Sequence, residues 1–325
     1  MKQNLAQETV PVSAAARRER KKIRLREEWG WFAFILPVVL GVIIFSLYPM
    51  LVSLWYSFFR TYTGTTNMPD FVVNGVNNFG LFNYRRLFTL DSEVWIALRV
   101  TFTYAVVVIP LALILSFLLA LLLNSKVKGI GVFRVIYYLP VIIPTTISGL
   151  LWADFFDARF GLANQILTSM GLPASDFLTS ASTAMPTFMS IQLWTLGASM
   201  ILWLSALKNV PQSLIESAKL DGAGPVVRLW KVIIPICTPI LFYNLITGLI
   251  GALQMYGPVM TLLGQSGAGP DNSLLFFAYK IYGTAFMSWE MGYACALAWF
   301  LFVIIAVLTG LAFRTNRWVY YGDGG

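Results

Sequence analysis

Histidine is absent from this 325-residue sequence, cysteine occurs twice, and charged residues make up only 12% of it. The first absence removes histidine-ligated zinc sites, Ser-His-Asp triads and imidazole proton relays. Cys237 and Cys295 both lie in apolar stretches and lack metal-ligand spacing, so they read as small buried apolar residues, not as a redox pair. A G-x-x-x-x-G-K-[ST] phosphate loop is also missing. The shortage of charge excludes most: soluble domains carry roughly 25%, and so few charges cannot cover one soluble globule. Apolar residues are plentiful, at 58% of the chain, with a mean hydropathy of +0.71. That composition excludes disorder and leaves an integral membrane protein.

A membrane helix needs about 20 mostly apolar residues. Six charge-free windows meet that need: Trp29–Phe59, Val100–Ser125, Val135–Ala153, Phe177–Leu207, Val232–Pro270 and Met291–Phe313. None alternates like a barrel strand, so helices must satisfy the backbone in lipid. The expected fold is an all-α membrane protein with six transmembrane helices across 29–313, near 31–55, 98–123, 135–154, 185–207, 236–258 and 291–313. The fifth window could hold two short spans, but its tail Gly264–Pro270 is loop-like, so one span near Ile236–Pro258 is expected. Pro140 and Pro144 predict a locally broken third span, which lipid tolerates only against protein or a water-filled cavity.

Basic residues set the orientation. With the N-terminus inside, 17 of the 23 lysines and arginines fall in the 1–28 tail, the 124–134 and 208–235 loops and the 314–325 tail. The positive-inside rule then puts both termini in the cytoplasm. The run Arg17–Arg26 reads as a topogenic anchor at the anionic leaflet and not as a nucleic-acid site. The first window is too long for a signal-peptide core. Tryptophans such as Trp29, Trp31, Trp152, Trp203 and Trp318 read as an interfacial belt. The windows carry no charge, whereas ion-driven carriers place ionisable groups near the midplane. Transport through this chain would take its energy from elsewhere.

The segment 208–235 is the informative loop. Pro211 suits a first helical turn, Gly222 a helix stop, and Pro225 a new helix start. Leu207, Leu214, Ala218 and Leu220 could line one side. Small residues at Ser217, Ala218, Gly222 and Ala223 permit close approach by a partner. A hairpin that merely joins two spans has the same pattern, and the residues alone leave both readings open.

Glu216-Ser217-Ala218, then Asp221-Gly222-Ala223, then Leu229, Val232 and Pro235, resembles the EAA motif of ABC-importer permeases, in the form of the carbohydrate-uptake branch. The sequence departs from it at Ser217 for alanine, Leu229 for phenylalanine and Ile234 before the proline. The resemblance extends through Asn83–Leu87, Gly131–Pro140, Gly267–Pro270 and Gly292–Ala296. It implies a multi-pass subunit of a bacterial or archaeal cytoplasmic membrane. It also implies a second, usually non-identical permease, two cytosolic ATPases docked on the EAA residues, and an extracytoplasmic solute-binding protein. No cofactor, nucleic acid or ATPase site of its own is implied.

Sugars are held by aromatic stacking and amide or hydroxyl hydrogen bonds. Gln192, Trp194, Tyr243, Asn244, Gln254 and Tyr256 are the candidates in spans four and five, with Gln254 and Tyr256 placed deep in span five. Their bland role is interhelical glue, worth about 0.6 kcal/mol per bond. A polyol phosphate such as a glycerophosphodiester is the alternative solute, although the spans lack the basic groups an anion needs. A stand-alone carrier and a membrane-embedded enzyme are the other classes. For the enzyme, Asp154 and Asp157 are the nearest to a carboxylate pair, and they read as a solvated span end.

Overall fold

The computed structural model describes residues 32, 34–65, 69–125, 128–264 and 267–320. The basic tail 1–28, Trp29, Trp31 and the end of the C-terminal tail lie outside the described residues. The chain divides into two units at Trp55/Tyr56. The first contributes all but the last residue of helix α1 (Phe34–Tyr56), which widens into a π turn over Ile43–Leu47.

The second unit opens with a small hairpin, β1 (Val72–Val73) paired antiparallel to β2 (Val76–Asn77), the only sheet among the described residues. A short helix α2 (Phe82–Thr89) follows. Helix α3 (Ser92–Leu123) has 32 residues, about 48 Å at 1.5 Å per residue. Asp91 caps it by accepting the Glu93 N–H at 3.1 Å, and Glu93 sits in the first turn, where the helix dipole favours an acid.

The next two windows are each built from two helices. α4 (Ile130–Ile142) and α5 (Thr145–Phe155) meet at 97°. Ile143 is extended there (φ −70°, ψ 125°), as the residue before Pro144 must tend to be. After α6 (Leu162–Ser169), α7 (Ala181–Leu193) and α8 (Gly197–Lys208) meet at 46°. No proline stands at that second break; Pro186 is carried inside α7. Loop helix α9 (Gln212–Leu220) leads to α10 (Pro225–Leu253). α11 (Gly257–Leu263), α12 (Phe277–Tyr282) and α13 (Met291–Arg314) complete the chain.

Two features of α10 differ from expectation. It begins at Pro225, not near 236, and absorbs the expected second loop helix through a π turn at Leu229–Ile233. It ends at Leu253, not near 258, because Pro258 offers no N–H to the Gln254 carbonyl and its ring crowds that group.

Four described helices are long and apolar enough to cross a membrane, and six crossings result if each bent pair counts as one. The packing has two ends. One cluster joins α2, α3, α12 and α13 through Leu87, Val94, Phe277 and Tyr293. Another joins the far end of α3 to α8 and α10 through Leu123, Trp203, Leu207 and Cys237. Trp203 is therefore core, 3% exposed, and not an interfacial belt residue. Both cysteines are buried free thiols, as their apolar context predicted.

Candidate docking groove and transmembrane cavities

α9 ends in a Schellman turn. The Ala223 N–H donates to the Ala218 carbonyl at 2.9 Å, and the Gly222 N–H donates to the Lys219 carbonyl at 3.0 Å. Gly222 takes φ +79°, a left-handed value that glycine adopts without cost. Pro225 is the first residue of α10, while Pro211 sits one place before α9 with ψ 124° and marks its N-cap. Ile215 packs onto the cluster of Trp203 and Leu207 and fixes the roll of α9. Leu220 consequently points away, 89% exposed, and does not share a side with Leu207.

That roll opens a groove of about 800 Å³ between α9 and the start of α10. Ser217, Ala218, Asp221, Val232 and Pro235 line it. Glu216 is exposed on α9, where its Oε1 accepts from Gln212 Nε2 at 3.2 Å. Gly222 is exposed and Ala223 half-buried at the turn. Leu229 lies elsewhere, in an apolar hollow with Phe117, Trp203 and Trp230. The sequence reading missed one wall: Tyr320, from the C-terminal segment, also lines the groove.

The candidate path residues separate. Gln192 and Asn244 line one cavity of about 240 Å³ with Tyr104, Thr195, Ser199 and Gly251. Gln192 and Thr195 also line a second, of about 320 Å³, with Pro140, Ser148, Pro258 and Thr261. This second cavity adjoins two helix breaks, at Ile143–Pro144 and Trp194–Leu196, and is closed by Pro258, Thr261 and Leu262 of α11. Chain breaks free backbone carbonyls, which lipid does not satisfy but a wet cavity does. Asn244 is 6% exposed, and its Nδ2 finds no partner among the described residues. Tyr243 is 53% exposed and lines neither cavity, since consecutive helical residues point about 100° apart. Gln254 and Tyr256 are not deep in a helix; they lie in the break after α10. Tyr256 is engaged with Tyr282, ring centroids 4.7 Å apart. Trp194 meets Trp152 edge-on at 5.3 Å.

Outside the expected residues, the opposite end of α3 holds a charge cluster. Lys280, 8% exposed, bridges Asp91 at 3.0 Å and Glu93 at 2.8 Å. Tyr293 donates its hydroxyl to Asp91 at 2.7 Å. Arg86 pairs with Glu290 at 2.9 Å and lies 4.1 Å over the Tyr293 ring. The available signal was Lys280 itself, the one charge between Asp271 and Glu290. Burial raises the Asp91 carboxyl, but the Tyr293 and Lys280 hydrogen bonds and the Lys280 charge outweigh it and hold Asp91 below its ordinary value. A lowered carboxylate contributes its stability above the unfolded value near pH 4 and loses it as pH falls through the folded one. Asp91→Asn should cost about 3 kcal/mol, the low end for breaking a buried pair, because Lys280 keeps Glu93. Thermal unfolding in detergent should show the loss at pH 7 and a narrowing gap from wild type below about pH 4. An unchanged midpoint at pH 7 would contradict the assignment.

Asp157 takes a turn role: it accepts the Phe160 and Arg159 N–H groups at 3.0 and 2.8 Å, and those bonds lower its carboxyl.

No family model matches the chain. It is 33% identical over 311 residues to Bacillus subtilis YesP, described as a "probable ABC transporter permease protein", covering 95% of this chain and 97% of that one. It is 29% identical to the trehalose/maltose transport permease MalF of Thermococcus litoralis, over 91% of this chain and 96% of the relative. Identity is 28% to the sn-glycerol-3-phosphate transport permease UgpA of Yersinia pestis, over 88% and 93%. A chain of the crystal structure of a bacterial alginate ABC transporter, in complex with an alginate pentasaccharide-bound periplasmic protein, shares the fold. The TM-score there is 0.78 at 22% identity, covering 90% of this chain and 96% of that chain.

Proposed function

The chain belongs to the ABC transporter permeases, multi-pass integral membrane proteins, and on that premise we propose that it is one permease of an ATP-driven, binding-protein-dependent importer of a sugar or oligosaccharide. The observation that carries the reading is the groove that gathers Ser217, Ala218, Asp221, Val232 and Pro235 at one end of α10. One of two cytosolic ATPases would dock there and on the neighbouring Glu216, Gly222 and Ala223, the other on the second permease, while this chain contributes no ATPase site. Six spans with cytoplasmic termini are supported by the distribution of basic residues. A second permease would complete the path, and a binding protein would deliver solute, as the periplasmic protein in the alginate complex suggests.

α10 supplies the mechanical link. The same unbroken helix carries Val232 in the groove and Asn244 at the cavity, about 18 Å apart at 1.5 Å per residue. A shift imposed on its first turns is transmitted to Asn244. Such a shift does work only if the ATPases contact the groove differently in their two states.

Neutral polyhydroxyl solutes fit best, because amides and hydroxyls line the two cavities and no charged side chain does. The UgpA relative favours the second reading, a glycerol phosphate ester. In proteoliposomes holding the full complex and its binding protein, neutral sugars should stimulate ATP hydrolysis and phosphate esters should not. Gln192→Ala and Asn244→Ala should each weaken stimulated transport about fivefold to tenfold, the effect of one lost hydrogen bond. Ion-gradient-driven flux through this chain alone would overturn the importer reading.

A further inference from the structure

Pro239 has no N–H, so the Pro235 carbonyl four residues back loses its helical donor. The Thr238 hydroxyl supplies the replacement, donating to that carbonyl at 2.6 Å. Thr238 is 7% exposed, and its oxygen is still free to accept. It accepts the Tyr320 N–H at 2.8 Å. The residues before Tyr320 hold the same course. Val319 is buried against Phe242 and Ile246, and the Trp318 ring meets Phe242 edge-on at 6.0 Å. The chain beyond α13 is thus clipped onto α10 beside Pro235, a residue of the docking motif. The clip leaves the Tyr320 side chain half-exposed and lining the groove.

Resting on the docking reading above, we propose that the segment Asn316–Tyr320 is a built-in wall of that groove and that the Tyr320 ring contacts the ATPase subunit seated in it. Leu214, Ala218, Val232 and Tyr320 give the groove an apolar lining, with Asp221 and Lys231 as its charged members. The matching surface is an apolar projection of the ATPase flanked by a basic and an acidic group. Tyrosine is well suited to such a place, since it offers a large rigid contact area with a polar tip.

The test uses the assembled complex in native membranes, with p-benzoylphenylalanine replacing Tyr320 or, separately, Leu214, a half-exposed residue on the opposite, α9 wall of the groove. Irradiation should crosslink the ATPase from both positions. Tyr320→Ala should weaken ATPase retention about tenfold, the effect of truncating a central interface aromatic. Thr238→Val, which removes the clip while keeping the ring, should weaken it in the same direction. Crosslinking from Leu214 but not from Tyr320, with Tyr320→Ala retaining the ATPase at wild-type level, would overturn this inference and leave the docking reading standing. Crosslinking from neither position would overturn both.

Discussion

Arginine at both Asp221 and Gly222 should abolish ATPase retention and transport while the chain still inserts at wild-type level. The fold has little reason to object. Asp221 is exposed at the end of α9, and a side chain built on Gly222 meets nothing within 4 Å. The cost is the left-handed backbone at φ +79°, about 1–2 kcal/mol for a residue with a Cβ. That is a local cost at a turn that belongs to no core cluster. Docking has strong reasons to object, because Asp221 lines the groove and its charge would be reversed. Two long cationic side chains would also stand where small ones leave room for a partner. Gly222→Asn separates the two effects: asparagine tolerates the left-handed conformation, so it should keep the turn and retain the ATPase. Retention at wild-type yield by the double arginine variant would exclude this loop as the docking site.

What the sequence could reveal depended on whether the cause was local. Gly222 and Pro225 act through their own backbone chemistry, and both stand where that chemistry predicts, at a left-handed stop and a first helical turn. Pro144 likewise set the break after Ile142 through the residue before it. The break at Trp194–Leu196 has no such residue and could not be read. The start of α10 was hidden for a different reason. The fifth charge-free window begins only after Lys231, with Arg228 just before it, yet both side chains are long enough to reach water from the first turns of a helix. The path candidates failed on rotation about a helix axis: composition marked Tyr243 and Asn244 alike, but only Asn244 faces a cavity. Of the charge cluster, only Lys280 stood out in the sequence, and its partners were out of reach. Lys280 and Glu93 are 187 residues apart, and Arg86 and Glu290 are 204 apart.

The unreadable break at Trp194–Leu196 stands beside a tight tertiary contact, and that contact predicts the largest loss of folded protein. Gly197 opens α8 against the backbone of α4. A Cβ built there would run into the Tyr137 carbonyl and lie 2.9 Å from the Tyr138 Cα. Both obstacles are main chain, so no rotamer change can relieve them. The chain bends just before this contact of α8 with α4, and Gln192 and Thr195, at the bend, line the two cavities. Gly197→Val must push α4 and α8 apart, at a cost of about 3 kcal/mol or more for overpacking against an unyielding neighbour. The expected result is a collapse of the monodisperse peak in detergent size-exclusion chromatography. Gly310→Val is the control. It adds the same side chain within another apolar helix, α13, where nothing lies within 4 Å. A normal Gly197→Val peak would show that the approach of α4 to α8 is not what sets the bend. A loss for Gly197→Val with none for Gly310→Val would place the cause in that backbone contact and not in valine's own reluctance to be helical.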